Sequence, residues 1–147
     1  MVRGQNFDRA QFVASVADNK CLNEAVRSAI FELLDFAERN AKEVRGGSGK
    51  SVTFHYAISV ANRNVNLFTC DPSGYVSTSL GNFRQLVRNK ALNRFSSRLI
   101  AIPGIAENVR KYHTRPGFSI NKTIVDPKMM SKYQSAILRF QADIDEE

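Results

Sequence analysis

Cysteine is scarce in this chain, and the two present stand far apart. Cys21 and Cys70 allow at most one bridge, which excludes a disulfide scaffold. Reduced thiols are then the default, and the expectation is a cytoplasmic protein. Long apolar runs are also missing. None approaches the roughly 20 residues that span a bilayer, so no membrane partner is expected. The opening Met1-Val2-Arg3-Gly4-Gln5-Asn6 lacks the apolar stretch of a secretory signal. Two histidines, His55 and His113, lie far apart, and nothing has zinc-ligand spacing. Acidic residues thin out after Arg45, leaving Asp71, Glu107, Asp126, Asp143, Asp145, Glu146 and Glu147. None belongs to an Asp…Glu-x-Lys arrangement on adjacent strands, which argues against a nuclease that holds metal between carboxylates. The expectation is no metal and no cofactor.

What is present fits one folded unit. The chain has 147 residues, 43% apolar and 24% charged, as in globular domains rather than disordered tails. Residues 19–147 read as a single α+β domain, with 1–18 as an N-terminal extension or short helix. The charge is unevenly placed. Residues 1–83 carry nine basic and eight acidic side chains, and 123–147 carry three basic and five acidic. Residues 84–122 carry nine basic and one acidic, Glu107, a net of +8. Such a cluster attracts polyanions, of which nucleic acid is the commonest inside cells. The plainer reading is a solvated basic face, or one that docks an acidic protein.

Hydrophobic periodicity places the elements. Phe7, Phe12, Val13 and Val16 suit a short helix over 7–17, with Asn6 as its cap. Leu22, Val26, Ile30, Leu33, Leu34, Ala37, Ala41 and Val44 recur at helical steps, predicting a helix over 19–45 that stops at Gly46-Gly47. The period then changes to two. Val52, Phe54, Tyr56, Ile58 and Val60 alternate with Thr53, His55, Ala57 and Ser59. Turns at Asn62-Arg63-Asn64 and Asp71-Pro72-Ser73-Gly74 make 51–80 a three-stranded antiparallel meander. Its only formal charges, Arg63 and Asp71, fall in those turns. A sheet face in water normally carries Lys, Glu or Arg, so the second face is partly covered or lines a groove. Phe83, Val87, Ala91 and Phe95 predict a helix over 83–99, with Arg84/Arg88 and Arg94/Arg98 as i,i+4 pairs. Residues 105–117 read as irregular or a short helix, and 118–124 as a fourth strand. Asp126 as cap and Pro127 at the first helical position open a last helix over 126–144.

Several motifs carry chemistry at first sight. Arg45-Gly46-Gly47-Ser48-Gly49-Lys50-Ser51 resembles a phosphate-binding loop, but Val44 stands where the pattern needs glycine. The loop also leads from a helix into a strand, so no helix N-terminus faces a phosphate. A connector is the better reading. A metal-free ribonuclease needs an acid, a base and a cation at the phosphate, and histidine commonly fills the first two roles. His55 lies on the uncharged sheet face, and His113 lies within the basic segment, which keeps this as an alternative. Phe68 and Tyr75 are placed to share a face with His55, where aromatics can stack bases; core packing is the better reading, since any covered sheet shows the same pattern.

Taken together, Gly46-Gly47-Ser48-Gly49, the segment Leu67–Leu80, Ile102-Pro103-Gly104-Ile105, Arg115-Pro116 and Asp126-Pro127 resemble an uncharacterised small bacterial domain. That domain is found alone or beside nuclease and restriction-type modules. The resemblance implies an accessory role near nucleic acid and no activity of its own. The expected function is therefore a non-catalytic nucleic-acid-binding or nuclease-accessory domain. Arg84, Arg88, Lys90, Arg94, Arg98, Arg110, Lys111 and Arg115 are its expected contacts, because arginine pairs bidentately with phosphate oxygens. A metal-independent ribonuclease using His55 and His113 is the alternative. A module docking an acidic partner or a nuclease subunit is the second.

Overall fold

The computed structural model describes residues 7–46, 52–111 and 114–146. Asn6, the connector 47–51 and His113 lie outside them; the first helix is capped by Asp8 rather than Asn6, the Asp8 side chain accepting from the Gln11 N–H at 3.0 Å. The fold is α+β, with a five-stranded antiparallel sheet in the order β1-β2-β3-β4-β5. The strands are β1 (Glu43–Gly46), β2 (Phe54–Val60), β3 (Arg63–Cys70), β4 (Tyr75–Thr78) and β5 (Gly117–Ser119). The helices are α1 (Arg9–Asp18), α2 (Glu24–Asn40), α3 (Asn89–Ile100), α4 (Ala106–Lys111) and α5 (Pro127–Asp145).

The expected meander is there; β1 joins one edge unexpectedly, and the fourth strand expected over 118–124 joins the other as the shorter β5, ended by a 3-10 turn over Ile120–Lys122. The helix expected over 19–45 is shorter than its apolar stripe. Asn23 caps it, its side chain accepting from the Val26 N–H, and the backbone turns extended at Ala41. Glu43 to Gly46 then pair with Ala57 to Phe54, because β2 offers an open edge whose groups need partners. The helix expected over 83–99 starts later. Leu80–Phe83 form a 3-10 turn, and Arg88 is the N-cap of α3, so Arg84 and Arg88 are not an i,i+4 helical pair. Phe83 and Val87 are buried nonetheless. A single helical turn, with the Val87 N–H donating to the Phe83 carbonyl at 3.0 Å, keeps the two on one side there. The β2–β3 turn is also tighter than expected. Ala61 and Asn62 both take positive φ, 52° and 63°, as a two-residue hairpin requires. Arg63 and Asn64 are consequently strand residues.

The helices cover one face of the sheet. Phe54 packs edge-on against Phe12 of α1 at 5.3 Å between ring centroids. Tyr56 stacks on Phe36 of α2 at 5.6 Å, and Phe68 and Phe118 meet Tyr133 of α5 at 5.7 and 5.3 Å. Phe12 and Val16 are fully buried, so α1 is part of this core. The last helix follows its expected caps, with Asp126 accepting from the Lys128 N–H. Among the described residues no helix is long and apolar enough to cross a membrane.

Candidate nucleic-acid interface and a polar cavity on the sheet

Two regions concentrate polar chemistry, and each follows from how the chain folds locally. The first lies where α3 crosses α5. Ala91, Phe95 and Leu99 recur every four residues, so one side of α3 is buried. Phe95 stacks on Phe140 at 4.4 Å with the rings nearly parallel, and Phe83 meets the same ring edge-on at 5.3 Å. This anchor turns the opposite side of α3 outward. Lys90, Arg94 and Arg98 line one shallow groove there, of about 670 Å³. A second groove, of about 400 Å³, is shared by Arg98 from α3 and Lys132 and Arg139 from α5. Arg98 belongs to both, so five cations from two helices border one another.

One carboxylate tempers this surface. Asp143, on the next turn of α5 after Arg139, accepts from Arg98 Nη1 at 3.1 Å and lies 3.8 Å from Arg94 Nη1. Lys90, Lys132 and Arg139 make no ion pair among the described residues. Lys132 and Arg139 escaped the sequence reading because 123–147 sums to a net negative charge. Their seven-residue spacing was the signal, since it puts both on one side of a helix. Of the other expected contacts, Arg84, Arg88 and Arg110 are exposed but line neither groove, and so is Lys111.

The second region is the sheet face turned away from the helices. Strand register draws a row across all five strands: Arg45, His55, Thr69, Ser77 and Gly117. His55 Nδ1 and Thr69 Oγ1 share a hydrogen bond of 2.6 Å, which leaves Nε2 as the ring's other polar atom. A β-bulge adds to this row. Tyr56 pairs with Phe68 but Ala57 pairs with Asn66, so β3 carries one extra residue, Leu67. Without the bulge Asn66 would point to the helix side. With it, Asn66 joins His55 and Thr69.

These residues line a cavity of about 350 Å³, closed by Ser79, Gly81 and Asn82 after β4 and by Thr114 and Arg115 before β5. Gly81 N–H donates to the Thr114 carbonyl at 2.8 Å, tying the two segments together. Burial pushes the His55 imidazole below its usual pKa, and the charges of Arg115 and Arg45 push it further down. The ring is therefore neutral at pH 7. Asn66 Oδ1 is buried without a hydrogen-bond partner among the described residues.

The expected groove on the second sheet face is thus present, and Arg115 belongs to it rather than to the α3–α5 surface. Tyr75 shares this face with His55, and its ring lies across Gly117, where a Cβ would collide with the hydroxyl. Phe68 does not share it. Phe68 stacks on Tyr56 at 5.0 Å inside the core, because strand alternation puts it opposite Thr69. Cys70 is buried, and burial pushes its thiol well above the usual range, so it is an inert packing residue. Among the described residues no three His, Cys, Asp or Glu groups gather as a metal site would require. No protein-family model, no curated protein and no solved structure matches this chain.

Proposed function

We propose that this chain is a non-catalytic nucleic-acid-binding module, of the kind that accompanies nucleases, and that it holds the phosphate backbone on the α3–α5 surface. One observation carries the reading: Lys90, Arg94, Arg98, Lys132 and Arg139 converge from two helices onto adjoining grooves that share Arg98. Phosphate contacts position a nucleic acid without reading its bases, so sequence preference is weak. Arg84, Arg88, Arg110 and Lys111 extend the footprint. The test is retention on single- and double-stranded DNA and RNA as salt is raised. Wild-type protein binds at low ionic strength, and the triple variant Lys90→Glu/Lys132→Glu/Arg139→Glu loses binding while staying folded. No salt-dependent retention of the wild type on any of these would overturn the reading in favour of an acidic protein partner.

The metal-independent ribonuclease reading is supported by one feature, a neutral imidazole in a cavity beside an arginine. It requires RNA cleavage that persists in a chelator and disappears in His55→Ala. Its second histidine, His113, lies outside the described residues.

A further inference from the structure

We propose that the cavity on the open sheet face is a binding site for a single nucleotide unit, with its phosphate at Arg115 and the N–H edge of its base at Asn66. The site shares no lining residue with the α3–α5 surface and does not depend on it.

Size comes first. About 350 Å³ lies at the lower end of the range, roughly 300–1,000 Å³, typical of small-molecule sites. It is about ten times the ~30 Å³ that one water occupies in the liquid. A tetrahedral anion alone would leave most of it unfilled. Charge comes second. Among the described residues, Arg115 is the only charged residue in the lining and no carboxylate lines the cavity. Arg45 on the neighbouring strand adds only a smaller positive influence, since Glu43 accepts from its Nε at 3.0 Å. A cation is disfavoured and a phosphate favoured, since an arginine fork pairs two phosphate oxygens.

Hydrogen-bonding capacity decides the rest of the ligand. The remaining lining is neutral amide and hydroxyl, chiefly Asn66, Asn82, Thr69 and Thr114. Asparagine amides match the donor–acceptor edges of bases, and hydroxyls match sugars. Among the described residues Asn66 Oδ1 is buried and unpaired, which is costly in a folded protein and calls for a hydrogen-bond donor. A base N–H edge supplies that donor from a group separate from the phosphate held at Arg115. The bulge at Leu67 is what brings this amide to the His55 face, and bulges commonly re-aim side chains beside binding sites.

A free mononucleotide and the terminal nucleotide of a 5′-phosphorylated strand present the same chemistry. The experiment is a titration of the full chain with AMP, GMP, CMP and UMP, inorganic phosphate, and a short oligonucleotide with and without a 5′-phosphate. His55 ring resonances serve as the reporter. At least one nucleotide binds, and the bound phosphate raises the His55 pKa because a nearby negative charge favours imidazolium. Arg115→Ala and Asn66→Ala each weaken binding roughly 10- to 100-fold, the range expected when a hydrogen bond to a charged or buried group is removed. Lys20→Glu, an exposed change between α1 and α2 that lines neither the cavity nor the α3–α5 grooves, leaves it unchanged. A gain in oligonucleotide affinity from the 5′-phosphate that Arg115→Ala removes assigns the site to strand ends, and no such gain assigns it to free nucleotide. Equal binding of phosphate and nucleotides would overturn the proposal. So would no binding at millimolar concentration, or an Asn66→Ala variant of native fold and native affinity.

Discussion

His55 is a titratable side chain held in a place that resists its charge. Its folded pKa lies below the usual 6.5, through burial first and then Arg115 and Arg45. Well above pH 6.5 the ring is neutral in folded and unfolded chains alike and contributes no pH dependence. As pH falls below 6.5 the unfolded chain binds the proton first. Stability therefore drops from pH 6.5 down to the folded pKa and levels off below it. Urea titrations at a series of pH values detect this slope, and His55→Asn should flatten that part of the profile. Gly104 is a second residue whose identity is dictated locally. Its φ is +89°, and a Cβ there would meet Thr123 Cγ2 at 2.5 Å and the Lys122 carbonyl at 3.2 Å. Gly104→Ala should cost about 1–3 kcal/mol by combining backbone strain with a clash. A lowered denaturant midpoint with unchanged slope would check it.

Among the elements, the pairing of α3 with α5 does two things. It builds part of the core and it aims the cations. Phe140 is fully buried between Phe83 and Phe95. Phe140→Ala should cost about 3–5 kcal/mol and loosen the basic surface, so near-ultraviolet dichroism and polyanion binding fall together. Asp143 acts in the opposite sense, since it occupies Arg98 and lies near Arg94. Asp143 and Arg98 are largely buried, so Asp143→Asn should lose about 1–3 kcal/mol, the range for a hydrogen bond to a charged group. The same change should tighten nucleic-acid binding, and the log–log salt slope should steepen by up to ~0.9 for each arginine released. A variant that binds no better than wild type would place these arginines outside the binding surface.

For the molecule as a whole, the net +8 of residues 84–122 does not form one face. Lys90, Arg94 and Arg98 lie on α3 beside α5, whereas Arg115 closes a cavity on the sheet. The two regions should respond separately. Lys90→Glu/Lys132→Glu/Arg139→Glu should cut the salt slope by about 0.7–0.9 for each phosphate the variant no longer neutralises. Arg115→Ala should leave most of that slope in place and impair the small-ligand site. Salt titrations of both variants beside the wild type measure the separation directly.

Local sequence determined the elements whose signals are short-range. Asp126-Pro127 opens α5 as a cap and first-turn proline require, and alternation over Phe54–Val60 makes β2 with His55 opposite the core. The acidic scarcity after Arg45 and the cysteine count were equally legible, because composition needs no geometry. What tertiary structure decided depends on partners distant in the chain. Val44 continues a helical stripe, yet it lies in a strand because β2 had an edge to fill. Phe83 and Val87 share one isolated helical turn that precedes α3, and the chain bends at Arg88 before the helix proper begins. Asn66 faces His55 only because one extra residue in β3 shifts the register, and a register shift leaves no mark in local propensity. Lys132 and Arg139 join the cations of α3 through a helix crossing set by stacked rings some 45 residues apart, Phe95 and Phe140. Charge is additive along a sequence, but a surface is a matter of which helices meet.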